Sequence, residues 1–204
     1  MVGSYRWQVA EQIARHKFVA IVRSDDRDEA RSAVAALIEG GAGAIEVTMT
    51  TPGALAILDE FRGQTLLGVG TVLSEGQVSA AAAAGARFIV TPNVNAGVIE
   101  HANRHGLASL IGAATATEIV RALECGADMV KLFPASQFPL NQIKALHGPL
   151  PWAPIVPTGG IGVHNARAWL DAGAVALGIG GSLTSGNPDD IRTRVRELID
   201  TIDA

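Results

Sequence analysis

Ala127-Asp-Met-Val-Lys-Leu-Phe-Pro134 is apolar on both sides of a single lysine and ends in a proline able to terminate a strand. A strand exposed on one face alternates polar and apolar residues. This one does not, so both of its faces are expected to be covered, as they are in a parallel sheet flanked by helices. Seven further runs of the same kind lie at residues 17–22, 43–49, 65–69, 87–91, 107–111, 154–157 and 175–179, with alanine-rich helical stretches between them. The strand starts recur about every 20 to 27 residues, room for one strand, one helix and two tight loops. Eight such units predict a single α/β domain over residues 1–204, a closed (β/α)8 TIM barrel preceded by an N-terminal amphipathic helix within Met1–His16.

The helix starts are legible. Asp26–Glu29, Ser74–Gln77 and Thr115–Glu118 each set an oxygen-bearing cap three residues before Glu or Gln, the capping-box spacing. Thr51-Pro52 and Asn187-Pro188 place a cap before a proline at the first helical position. Each start follows a predicted strand, so these loops gather on the C-terminal face of the barrel, where barrel enzymes keep their chemistry.

The totals narrow the partners. Hydrophobic residues make up 48% of the 204 and charged residues 18%, which leaves little room for long disorder. The formal charge is −4, and no run of five or six basic residues could track a phosphodiester backbone, so nucleic acid is not expected. The single cysteine, Cys125, cannot form an internal disulfide and lacks metal-ligand spacing, which fits a reducing compartment. No apolar tract approaches the roughly 18 residues of a membrane span and the first residues lack the apolar run of a signal peptide, so no membrane partner and a cytoplasmic location are expected.

Only three lysines, Lys17, Lys131 and Lys144, stand against thirteen arginines. An ammonium at Lys131, inside a strand apolar on both sides, is costly unless it is paired or gives up its proton. Desolvation favours the neutral amine, a nucleophile toward ketones. Glu46, in Ala44-Ile-Glu-Val-Thr-Met49, is an acid in the middle of another buried strand, sharing the lumen-facing side with Ala44 and Thr48. Schiff-base chemistry needs one group that repeatedly gives and takes protons, and a carboxylate opposite a lysine can do so. The inert alternative is an ion pair between the same two residues.

Two glycine-rich turns, Val156-Pro-Thr-Gly-Gly-Ile161 and Gly178-Ile-Gly-Gly-Ser-Leu183, follow the seventh and eighth strands, where barrels bind phosphate on backbone amides and a helix start. Gly68-Val-Gly-Thr71 lacks the third glycine of a dinucleotide fingerprint. His101 and His105 share a helix face on the outside of the barrel with no third ligand near, so no metal site is assigned and exposure to solvent is expected.

Taken in order, Val19-Ala-Ile-Val-Arg23, Ile45-Glu-Val-Thr48, Gly68-Val-Gly-Thr-Val72, Phe88-Ile-Val-Thr-Pro92, Lys131-Leu-Phe-Pro-Ala135, Pro157-Thr-Gly-Gly-Ile161 and Gly178-Ile-Gly-Gly-Ser182 resemble the 2-keto-3-deoxy-6-phosphogluconate aldolases and their 6-phosphogalactonate relatives over nearly the whole chain. The resemblance implies a class I aldolase of the Entner-Doudoroff or related sugar-acid pathways, acting without metal or cofactor as a homotrimer. It implies Lys131 as the Schiff-base lysine and Glu46 as the general acid/base. Thr71, Pro92 and Phe133 would line the pyruvate pocket, and Thr158, Gly159, Gly160, Gly181 and Ser182 would hold the phosphate. The expected reaction is reversible cleavage of the phosphogluconate substrate to pyruvate and glyceraldehyde 3-phosphate, with the galactonate epimer or 4-hydroxy-2-oxoglutarate as alternative substrates. A phosphate-binding barrel without turnover is the alternative from another class. At Thr50 the chain departs from the pattern, since many members carry there an arginine associated with the substrate carboxylate. Arg23, at the end of the neighbouring first strand, is the candidate replacement.

Overall fold

A computed structural model describes residues 5–203. Eight strands, β1 (Phe18–Val22), β2 (Ala44–Thr48), β3 (Leu66–Gly70), β4 (Phe88–Val90), β5 (Ala108–Ala113), β6 (Met129–Leu132), β7 (Ile155–Pro157) and β8 (Leu177–Ile179), form one parallel sheet in the order β7-β6-β5-β4-β3-β2-β1-β8. The ring closes between β7 and β8, where the Val175 amide donates to the Ile155 carbonyl at 3.0 Å and Thr158 bridges Gly178. The fold is a TIM barrel. Around it run α1 (Arg6–His16), α2 (Arg27–Gly40), α3 (Ala54–Glu60), α4 (Glu75–Ala83), α5 (Ala96–Arg104), α6 (Ala116–Glu124), α7 (Asn141–His147), α8 (Val163–Asp171), the single turn α9 (Gly181–Thr184) and α10 (Pro188–Asp203).

Absence of alternation in the strands reflects two cores. Phe18, Ala20, Val22, Ile45, Val47, Ile89, Ile111, Val130 and Leu132 pack outward beneath the helices. Val19, Ala44, Phe88, Val90, Leu110, Met129 and Val156 fill the lower lumen, where Val9 and Ile13 of α1 join them and plug the N-terminal end. Fully burying one such side chain as Phe88 contributes about 2 kcal/mol. Its ring occupies the space beside Gly68, where a Cβ would lie 2.4 Å from it. The plug is further pinned by Asp128, which accepts from the Ser109 amide and hydroxyl and pairs with Arg6. The expected N-terminal helix is thus present from Arg6, and residues 1–4 fall outside the described range.

Ser74–Gln77 and Thr115–Glu118 form complete capping boxes. Asn187 caps α10 by accepting from the Asp190 amide at 3.0 Å. Two expectations need correction. Asp26 caps α2, but Glu29 does not reciprocate, because its carboxylate accepts from the Ser24 hydroxyl instead. Thr51-Pro52 does not open a helix: α3 begins at Ala54 behind Gly53, whose φ is +70°. The Thr51 hydroxyl is bonded to Thr48 at 3.0 Å and accepts from the Ser24 amide at 3.4 Å, joining the ends of β1 and β2.

Candidate active site

The strand register brings Lys131 and Glu46 into one lumen from opposite sides of the ring. Both are nearly sealed from solvent, at 7% and 2% exposure. They line a cavity of about 810 Å³ that opens on the C-terminal face and also touches Arg23, Phe133, Thr158, Gly159 and Gly181. Among the described residues no ion pair within 4.0 Å joins Lys131 to Glu46 or to another carboxylate. The inert pairing is therefore not what holds them. Lys131 Nζ lies 4.9 Å from the centre of the Phe133 ring, whose π-face partly offsets the lost hydration of a cation.

Burial pushes the Glu46 carboxyl above its usual range, and the positive charges of Lys131 and then Arg23 pull partly against it. Such a group takes and returns a proton more readily near neutrality than an exposed glutamate. The room for it comes from Gly70, opposite Thr48 on β3. A Cβ there would fall 1.6 Å from Glu46 Oε1. Sequence reasoning missed Gly70, although its signal was present in Gly68-Val-Gly70, glycines at period two in a strand that mark close approach of a neighbour. Gly178 does the same for Thr158, since a Cβ there would lie 2.1 Å from the threonine hydroxyl.

Arg23 reaches from the end of β1 over Glu46's side of the mouth and donates to Thr71 Oγ1 at 3.4 Å. Thr71 has φ +57°, a left-handed conformation that costs energy in a residue with a branched Cβ and is kept where the surroundings enforce it. Thr50, Thr71, Pro92, Gly160 and Ser182 stand at the strand ends beside the cavity but do not line it. Thr50 is bonded to Thr48 at 3.0 Å. Pro92 is exposed, and its backbone packs over Gly112, where its carbonyl carbon would lie 2.2 Å from a Cβ. The two glycine-rich turns meet: Ser182 donates its hydroxyl proton to the Ile161 carbonyl at 2.5 Å. For an anion the turn therefore offers the first amides of α9, which have no intrahelical acceptor, rather than the Ser182 proton. Ser24, Glu29, Thr184 and Ser185 also line the cavity, and the sequence reading did not single them out.

His101 is half-buried and bonded to Ser79 at 2.8 Å, while His105 is exposed and its ring lies tilted against that of His101, the centroids 4.8 Å apart. The expectation that both face solvent holds for His105 alone. Among the described residues no group of three His, Cys, Asp or Glu side chains could hold a metal, and no helix is long and apolar enough to cross a membrane.

The family model for KDPG and KHG aldolases matches residues 9–194. The chain belongs to that family. It is 40% identical to the 2-dehydro-3-deoxy-6-phosphogalactonate aldolase of Escherichia coli K12 over 170 residues, 81% of this chain and 83% of that one. With the 2-dehydro-3-deoxy-phosphogluconate aldolase of Treponema pallidum it shares 38% identity over 178 residues, 85% of this chain and 84% of its relative. A solved native KDPGal structure superposes with a TM-score of 0.85 at 35% identity, covering 91% of this chain and 94% of the other. This member of the KDPG and KHG aldolases is accordingly a class I aldolase, a carbon–carbon lyase.

Two outcomes follow from the aldolase's buried carboxylate. Gly70→Ala displaces Glu46 and should lower kcat/KM for aldol cleavage about 100-fold, the scale of a 1 Å misplacement; an unchanged rate would remove Glu46 from the chemistry. Because the folded-state pKa of Glu46 is raised, the native state binds more protons there, and stability falls as pH rises from the unfolded value through the folded one. Glu46→Gln should therefore melt higher than wild type at pH 7, and that advantage should shrink as the pH is lowered toward 4.5. Equal melting temperatures at both pH values would contradict it.

Proposed function

We propose that the chain reversibly cleaves 2-keto-3-deoxy-6-phosphogluconate to pyruvate and glyceraldehyde 3-phosphate, with Lys131 as the Schiff-base lysine and Glu46 as the proton carrier. The observation that supports this most is a buried amine and a buried carboxyl sharing one cavity without pairing. In the cleavage direction Lys131 Nζ attacks the C2 carbonyl to give a carbinolamine, and a proton delivered through Glu46 lets the hydroxyl leave as water. The resulting iminium accepts the electron pair of the C3–C4 bond. As that bond breaks, the C4 hydroxyl passes its proton to the Glu46 carboxylate and C4 becomes the aldehyde carbon of glyceraldehyde 3-phosphate. The enamine is then protonated at C3 and hydrolysed by water, releasing pyruvate and the free amine.

Phe133 supports the apolar floor for the pyruvate methyl, with Thr71 and Pro92 behind it. The amides of Gly159, Gly160, Gly181 and Ser182, with Thr158 between the turns, are the proposed phosphate cradle. Arg23, whose charge already acts on Glu46, is the proposed partner of the substrate carboxylate, because Thr50 carries no charge and its hydroxyl is turned to Thr48. The galactonate epimer is a second reading, favoured by the 40% identity to the Escherichia coli galactonate enzyme. Homotrimeric assembly and a cytoplasmic setting belong to the same proposal and rest on the family resemblance.

Kinetics with the gluconate and galactonate 6-phosphates, and with their unphosphorylated forms, test the substrate. We expect the 6-phosphate to raise kcat/KM by at least about tenfold, the scale of one charge-assisted hydrogen bond, and Lys131→Arg to abolish cleavage of every one of them. Cleavage by the arginine variant would overturn the Schiff base, and indifference to the phosphate would overturn the cradle. Arg23→Ala should raise KM for pyruvate in the condensation direction about tenfold or more, and an unchanged KM would take Arg23 out of the site.

A further inference from the structure

α9 is one turn long and cannot hold its own direction. Three bonds from outside hold it. Ser182 is bonded to the Ile161 carbonyl of the preceding glycine-rich turn, Thr184 donates to the Ile21 carbonyl of β1 at 3.4 Å, and Arg194 of α10 donates through Nη2 to the Ser185 carbonyl just past the turn's end. The third bond is the unusual one. Arg194 makes no ion pair within 4.0 Å among the described residues, although Asp190 is one helical turn away and its carboxylate lies beside Gly186. Its Nε is buried and has no acceptor. Ser185 and Gly186, which it backs, line the same cavity as Lys131.

A half-buried guanidinium whose buried Nε has no acceptor and which makes no ion pair among the described residues is a poor choice for stability alone. Its place is informative. It sits at the C-terminal end of α9, where a cation complements the backbone dipole, while the first amides of the same turn point to the proposed phosphate. We infer that Arg194 is a positioning residue for recognition of the substrate's 6-phosphate: it fixes α9 from behind through the Ser185 carbonyl without touching the reacting atoms. The inference rests on the phosphate cradle proposed above.

The effect should be confined to the phosphorylated end of the substrate. Arg194→Met is expected to raise KM for the 6-phosphate substrate about tenfold while kcat and the KM for the unphosphorylated analogue stay near wild type. Arg194→Lys, which keeps the charge, should recover part of the loss. Inorganic phosphate, as a competitive inhibitor, should weaken in parallel. A wild-type enzyme that ignores the phosphate overturns the cradle and this inference together. A phosphate-dependent wild type beside a Met variant with unchanged KM, or one losing both substrates equally at an unchanged melting temperature, overturns only the inference. Should Arg194→Met fail to fold, Arg194→Gln and its phosphate inhibition constant decide it: a constant equal to wild type together with an unchanged KM overturns the role.

Discussion

An amine and a carboxyl are drawn into one apolar lumen and kept from neutralising each other, and that separation is the constraint on which the rest of the site depends. A contact pair in the same place would satisfy both charges and leave neither for a substrate. Here Lys131 is held on β6 against the face of Phe133, while Glu46 is held on β2 in the space that Gly70 vacates. The gap between them belongs to the cavity. Burial raises the proton affinity of the carboxyl, and the charges of Lys131 and Arg23 limit how far that goes. Both effects follow from position on the ring and need no further group.

The barrel supplies that position through its two cores. Outward-facing residues anchor each strand beneath its helices, and the lower lumen is packed solid from Val19 to Met129 and plugged by Val9 and Ile13. Only the upper layer is polar. Small residues decide what enters it: Gly68 admits the Phe88 ring below, Gly70 the Glu46 carboxyl, and Gly178 the Thr158 hydroxyl. The same closeness stitches the seventh and eighth strand turns together through Ser182 and Ile161. At the mouth of the cavity the two turns are bonded to each other, while Arg23 reaches Thr71 by a long bond of 3.4 Å.

Much of this was legible before any coordinates. Eight runs without alternation read as eight covered strands, and the oxygen-bearing caps at Ser74, Thr115 and Asn187 start the helices where expected. Lys131 and Glu46 were conspicuous because a charge in a doubly covered strand has few explanations. What failed to show was pairwise geometry. Thr51 looks like a helix cap until Thr48 and Ser24 are seen to occupy its hydroxyl. Ser182 looks like a phosphate donor until its proton is found on the Ile161 carbonyl. Gly70 makes room for Glu46, 24 positions away, and Arg194 reaches Ser185, nine positions back across the loop before α10, and local pattern does not show such partners. Thr50 carries no charge, and Arg23, already the candidate replacement in the sequence because the first two strands are neighbours, lines the cavity.

Covalent capture of the amine is the most direct test of the account. Incubating the protein with pyruvate and borohydride, digesting it and weighing the peptides should place one reduced pyruvate adduct on the peptide containing Lys131 and none on those with Lys17 or Lys144. An active enzyme that gains no adduct, or that carries it on either of the other two lysines, would contradict the account.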